Sequence, residues 1–279
     1  MGNCKSTSLH VVKRGYLYSE IQHRFRPLDI ILFHGGDVVA DIISTIEKRG
    51  NPNAHAGDFT HVGIVINRDI LDDPLLQPNR MYIMESTASG KLGNNVYDIR
   101  GASHIGVQIR DLESVINGYD SDNETSIAWC PLINNPFVTN AQQTTKRRFA
   151  EIYNEVIGIT WDANCWSLAS AVIPCMRQSR STIETLFNTK KWLFCSEMVA
   201  VIYKHLGIYP NTINARNVVP GDFAYPDEDT DNTPKLINEI VYVTSQVHFS
   251  PDYSHDNAIV YPITAEIVSI VTVTNEPTI

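Results

Sequence analysis

The sequence predicts an α+β fold, and three observations carry that prediction. Short apolar runs of strand length recur at 28–33, 61–66, 80–85, 105–110 and 126–132. Two segments, 141–157 and 195–206, repeat their apolar residues at helical spacing. Hydrophobic residues make up 43% of the 279 positions, which is ample for a buried core.

In chain order, residues 28–33 (LDIILF) read as a buried strand, closed by Gly35-Gly36. A helix is predicted over 37–48, with Asp37 as N-cap, Val38, Ile42, Ile43 and Ile46 at near-helical spacing, and Gly50 just beyond its end. A Pro/Asn/Gly loop at 51–59 leads to strands at 61–66 (HVGIVI) and 80–85 (RMYIME), separated by turn material, LDDPLLQPN. A Gly/Asn stretch at 90–95 precedes a strand at 105–110, a short helix around 111–117 and a strand at 126–132. Gly158 and Gly207 stop the helices at 141–157 and 195–206. Strand-like runs at 239–248 and 264–274 follow an acidic loop containing Asp227, Glu228, Asp229 and Asp231. The resulting organisation is a basic N-terminal arm at 1–25, a central domain at 26–225, and a C-terminal extension at 226–279 whose strands pack on the same domain.

Charge and cysteine usage narrow the function classes. A net charge of -9 makes the chain a poor partner for nucleic-acid phosphates. No apolar run reaches the length of a membrane span, and no early apolar segment marks a secretory signal. The five cysteines, Cys4, Cys130, Cys165, Cys175 and Cys195, are odd in number and form no CxxC pair. That argues against a disulfide framework and a four-thiolate zinc site, and for thiols of a reducing compartment.

The N-terminus, Met1-Gly2-Asn3-Cys4-Lys5-Ser6, fits the N-myristoylation pattern at Gly2, with Cys4 available for palmitoylation. The first 26 residues carry Lys5, Lys13, Arg14, Arg24 and Arg26 against Glu20, a net charge of +4 on a chain that is otherwise -13. A basic arm on an acidic body suits an anionic lipid surface. The expected location is the cytoplasmic face of a membrane in a eukaryotic cell, or in a cell infected by a eukaryotic virus.

Chemistry centres on Cys195. It opens a helix whose inward positions are Met198, Val199, Ile202 and Leu206, so residue 195 falls on the same face. A sulfur in the first helical turn meets unpaired N–H groups and the positive end of the macrodipole, which favour thiolate and could hold an oxyanion. A thiolate nucleophile needs a proton acceptor, and His61 begins a strand directly after the polar turn Gly57-Asp58-Phe59-Thr60. His34 reads as part of a Gly-flanked turn, and His23, His55 and His205 as solvated. If strands 61–66 and 80–85 pair antiparallel about a centre near residue 73, Ile66 faces Arg80 and His61 faces Glu85. Glu85 is then on the same face as His61 and can orient its ring.

Taken together, RPLDIILF, DFTHVGIVI, MYIMES and WLFCSEMVAVIYKHLGI resemble the circularly permuted branch of the NlpC-like papain superfamily. In that branch the His strand and the acid precede the Cys helix. Leu28-Asp29 stands where the family has Gly-Asp, Gly158-Ile159-Thr160-Trp161-Asp162 resembles its Gly-x-x-Tyr-Asp segment, and Pro220-Gly221-Asp222-Phe223 its Pro-x-Asp-(apolar) segment. The match runs over roughly residues 26–225. The resemblance implies a permuted papain-like fold, an antiparallel sheet packed against the nucleophile helix, with Cys195 as nucleophile, His61 as base and Glu85 as orienter.

The implied activity is that of a cysteine hydrolase of peptidase or amidase type, acting through an acyl-enzyme on a peptide, amide or acyl-lipid substrate, with no metal or organic cofactor. A lipid acyltransferase or thioesterase related to lecithin:retinol acyltransferase is the first alternative; Phe194-Cys195-Ser196-Glu197 in place of that group's Asn-Cys-Glu-His counts against it, and membrane anchoring for it. The second alternative is a non-enzymatic membrane-tethered scaffold, which would have no need of all three triad residues. Substrate selection is expected in the loops at 86–104 and 163–190; the helical stretch around Trp161, Cys165 and Trp166 reads as core packing, with an apolar pocket wall as the alternative.

Overall fold

Each inner strand carries apolar side chains to both of its faces, and the sheet they form is covered on both. In the computed structural model the described residues are 15–35, 58–87, 98–101, 105–119, 126–139, 141–160, 193–224, 236–237 and 239–245. The expected elements at 37–48, 90–95 and 264–274, the acidic loop, Gly2, Cys4, His55, Trp161, Cys165, Trp166 and Cys175 lie outside them. The class is α+β, as the sequence predicts.

The elements in chain order are β1 (Tyr16–Leu17), α1 (Tyr18–Ile21), a 3-10 turn (Gln22–Arg24), β2 (Ile30–His34), β3 (His61–Ile66), β4 (Tyr82–Thr87), β5 (Gly106–Asp111), α2 (Leu112–Tyr119), β6 (Ser126–Cys130), α3 (Gln142–Val156), α4 (Cys195–Leu206), a second 3-10 turn (Ala215–Asn217), α5 (Pro220–Ala224) and β7 (Val241–Thr244). The seven strands lie in the order β1-β7-β6-β2-β3-β4-β5. The sheet is mixed rather than wholly antiparallel: β1 runs parallel to β7, and the other neighbouring pairs are antiparallel. The parallel pair joins the two ends of the described chain, so the folded body takes in Tyr16–Phe25 of the basic arm, and β7 brings part of the C-terminal extension into the same sheet.

Strand alternation sorts the core into two layers. Ile30, Leu32, Val62, Ile64, Met84 and Ile109 face α3 and α4, meeting Phe149, Ile152, Met198 and Ile202. Ile31, Phe33, Val65, Ile83, Ile127 and Trp129 face the other way, onto Tyr18, Ile21, Phe25 and α2. Strands covered on both faces read as continuous apolar runs, which is why LDIILF and HVGIVI show little alternation.

The start of β2 is anchored by Asp29. Its buried carboxylate accepts from Trp129 Nε1 at 2.9 Å, from the Leu132 N–H at 3.1 Å and from the Arg26 N–H at 2.9 Å. Leu28, fully buried just before it, has φ 75°, the left-handed region that L side chains avoid. The Leu28 carbonyl accepts from Tyr203 Oη at 2.6 Å, which ties this corner to α4.

Helix α4 ends where Gly207 adopts φ 77°, with its N–H donating to the Lys204 carbonyl and that of Ile208 to Tyr203. All its residues except His205 are buried, more than the single inward face that periodicity predicts. Tyr209 and, from α5, Phe223 pack on Tyr203, and the Val219 N–H donates to Asp222 Oδ2 at 2.9 Å. His34 corrects a sequence expectation: it is the last residue of β2, paired with Ser126, and not part of a turn.

Candidate active site

Cys195 is the first residue of α4 and is 6% exposed. Phe194 ahead of it is extended, with φ -75° and ψ 165°, and supplies no side-chain cap to the first turn. The helix ladder begins with the Met198 N–H donating to the Phe194 carbonyl at 2.9 Å. The backbone N–H groups of the first turn therefore precede the intrahelical ladder, the arrangement in which a helix start can meet an anion. The approach to Cys195 is held at two points. Ser86 Oγ donates to the Leu193 carbonyl at 2.6 Å, and the Leu193 N–H donates to the Thr160 carbonyl at 2.9 Å.

His61 opens β3, opposite Phe33 of β2, whose ring lies 5.5 Å away centroid to centroid. The preceding residue is fixed by the Thr60 N–H donating to the Phe33 carbonyl at 2.8 Å. His61 Nε2 lies 2.6 Å from Glu85 Oε2. Cys195 lies near enough to the same ring to raise its affinity for a proton. With Nε2 engaged by the carboxylate, Nδ1 is the nitrogen left for the sulfur. Three residues from separate segments are thus brought together, with His61 between Cys195 and Glu85.

The register that aligns them differs from the sequence expectation by two residues. Ile66 pairs with Tyr82 and Gly63 with Glu85. The cause is the connection at 67–81, which is more than a turn. Asn67 Oδ1 accepts from the N–H groups of Asp69 and Ile70, and Ile70, Leu71 and Leu76 are buried. Arg80 leaves the strand to pair with Asp111. A two-residue shift preserves the face, because strand side chains alternate with period two. His61 and Glu85 are therefore diagonal neighbours, still within reach of long side chains. Gly63, directly opposite Glu85, leaves room that Ile83 occupies: a Cβ at 63 would lie 2.6 Å from Ile83 Cδ1 and Cγ1.

Sequence reasoning missed Arg110 and Gln108. Both are buried on β5, on the Glu85 face; Gln108 pairs directly with Glu85, and Arg110 with Ile83. Arg110 Nη1 donates to Glu85 Oε1 at 3.0 Å, and Arg110 Nε donates to Gln108 Oε1 at 3.2 Å. The available signal was the run Val107-Gln108-Ile109-Arg110, where two polar residues share one face of an otherwise apolar strand.

Electrostatics follow from these contacts. Burial opposes a charged His61 ring, but Cys195, then Glu85, outweigh it, and the ring is pushed up to about 10. Burial also opposes an ionised Glu85; the Arg110 guanidinium and His61 outweigh it and hold the carboxyl below its ordinary value. Cys130, the other described cysteine, is buried among apolar side chains, and burial together with Asp29 and Glu239 pushes its thiol up. His23 is exposed, and half-buried His205 lies 3.5 Å from Glu151; neither belongs to the Cys195 site.

Among the described residues, no group of three or more His, Cys, Asp or Glu side chains is disposed to hold a metal ion, and no helix is long and apolar enough to cross a membrane. No protein-family model matches the chain, and no curated protein sequence matches it.

Proposed function

We propose that the protein is a cysteine hydrolase of the permuted papain-like kind, acting through an acyl-enzyme on an amide, ester or thioester carbonyl. The observation that carries this reading is the 2.6 Å contact of His61 Nε2 with buried Glu85, on a ring whose proton affinity Cys195, at the start of α4, raises. A second observation supports the fold reading. Leu28 has φ 75° at the position where the permuted family's motif has glycine, the residue that adopts such a backbone without strain.

In the first half-reaction His61 holds the proton of Cys195, and the sulfur attacks the carbonyl carbon. The carbonyl electron pair moves to oxygen, where N–H groups of the first turn of α4 can receive it. Collapse of this intermediate re-forms the carbonyl and breaks the bond to the leaving amine, alcohol or thiol, which takes the proton from His61. Water, deprotonated by His61, then attacks the thioester and releases the acid and the Cys195 thiol. An amine or hydroxyl acceptor in place of water makes the same site a transferase, the route that a retinol-acyltransferase-like enzyme would take.

The reading includes a tether. Acylation at Gly2, a second acyl chain at Cys4 and the basic arm would together hold the enzyme on an anionic membrane, since one myristoyl chain binds only weakly, on the order of 10⁴ M⁻¹. The test is intact-protein mass spectrometry with a panel of activated acyl esters and amides, on wild type and Cys195→Ala. An acyl adduct on Cys195 that turns over supports the enzyme. No adduct with any probe favours the non-enzymatic scaffold.

A further inference from the structure

We propose that Arg110 is a positioning residue of the triad: from β5 it holds Glu85 ionised and aimed at His61, and so sets the acidic edge of the pH range in which Cys195 reacts. The inference rests on the reading of Cys195 as the nucleophile.

The geometry assigns one partner to each oxygen of Glu85. Oε2 faces His61 Nε2 at 2.6 Å, and Oε1 accepts from Arg110 Nη1 at 3.0 Å. Register places the three residues on one diagonal of the sheet. Gly63 and Gln108 pair with Glu85, while His61 lies two residues from Gly63 on β3 and Arg110 two residues from Gln108 on β5. The guanidinium is itself oriented, because its Nε donates to Gln108 Oε1 at 3.2 Å. Glu85 and Arg110 are both shut off from water, the side chain of each being 1% exposed.

A carboxylate in such a place turns into its neutral acid unless a cation faces it. The groups that act on Glu85 are Arg110 from β5 and His61 from β3; those that act on His61 are Cys195 from α4 and Glu85 from β4. His61 cannot serve as the permanent counter-ion, because its proton is the one that moves during the reaction. Arg110 keeps its charge throughout. Once protonated, Glu85 would no longer oppose the positive ring, and the ring would lose the partner that orients Nδ1 to sulfur.

The test is the rate of Cys195 carbamidomethylation by iodoacetamide as a function of pH, read by mass spectrometry on the full chain, with circular dichroism as the control for folding. Arg110→Gln is expected to move the acidic limb up by a unit or more, a tenfold loss of rate at a fixed pH on that limb. Arg110→Lys, which keeps the charge, should hold the limb near wild type. In a Glu85→Gln background the further change Arg110→Gln should move nothing, because the group it acts on is gone. If Arg110→Gln does not fold, the Lys variant and the Glu85→Gln pair decide the matter. An unmoved limb in folded Arg110→Gln, a Lys variant shifted by a unit, or a shift that persists in the Glu85→Gln background overturns the proposal. Wild-type Cys195 reacting no faster than Cys130 would instead overturn the nucleophile reading, a different result.

Discussion

Glu85 and Ser86 are consecutive in β4 and act on opposite faces of the sheet. Glu85 reaches His61 at 2.6 Å, while Ser86 Oγ donates to the carbonyl of Leu193, two residues before Cys195, at 2.6 Å. One strand end therefore positions His61 from one side and the approach to Cys195 from the other. Ser86→Ala removes the donor from a buried carbonyl and should cost about 1–3 kcal/mol. A urea titration should detect that loss, and Cys195 alkylation should slow in the folded variant. Unchanged stability and unchanged alkylation would show that this bond does not hold the segment.

Gly63 is expected to tolerate no side chain. A Cβ there would lie 2.6 Å from two atoms of Ile83 and 3.0 Å from the Met84 carbonyl oxygen. Gly63→Ala should destabilise by about 1–3 kcal/mol through overpacking. Combined with Ile83→Ala, which opens the space, the two losses should sum to more than the double variant shows. Strict additivity in thermal unfolding would contradict the contact.

Leu28 sets two terms against each other. Its φ of 75° costs an L residue roughly 1–2 kcal/mol, and its fully buried side chain is worth about 2–5 kcal/mol against alanine. The side chain wins, so Leu28→Gly should destabilise, but by about 1 kcal/mol less than Leu28→Ala, which keeps the strain and loses the contacts. Denaturant midpoints in the order wild type, Gly, Ala are expected. The alanine variant matching or exceeding the glycine one would remove the strain from the account.

The His61 ring value carries a pH prediction. It is raised above the ordinary value, so the stability that the charged ring contributes is fully present below roughly 6.5 and is lost as pH rises through about 10. Glu85 works in the opposite sense: its lowered value makes its contribution present above the ordinary carboxylate range and lost as pH falls through its folded value. Urea midpoints should fall for wild type between neutral pH and pH about 10, and fall less for His61→Gln. Parallel curves for the two proteins would contradict the assignment.

The face shared by His61 and Glu85 follows from parity alone, and it survives a two-residue change of register. The register itself depends on Asn67, Ile70, Leu71 and Leu76 folding the connection inward, a tertiary event that a loop-like composition does not announce. The Cys195 helix is readable from its 3.6-residue period and Gly207 stop. The pairing of β1 with β7 is not, because it joins segments more than 220 residues apart through two short strands. Arg110 was hidden because a charged residue near a strand end ordinarily reads as solvated, and only the sheet order puts it behind Glu85.

Whether His61 activates Cys195 is decided by competitive labelling of the native protein with limiting iodoacetamide at pH 7, followed by peptide mass spectrometry, on wild type and His61→Ala. Cys195 should be labelled first among the five cysteines, Cys130 should stay unlabelled until the protein unfolds, and His61→Ala should remove the preference for Cys195. Labelling led by another cysteine, or a Cys195 preference indifferent to His61, would contradict that activation.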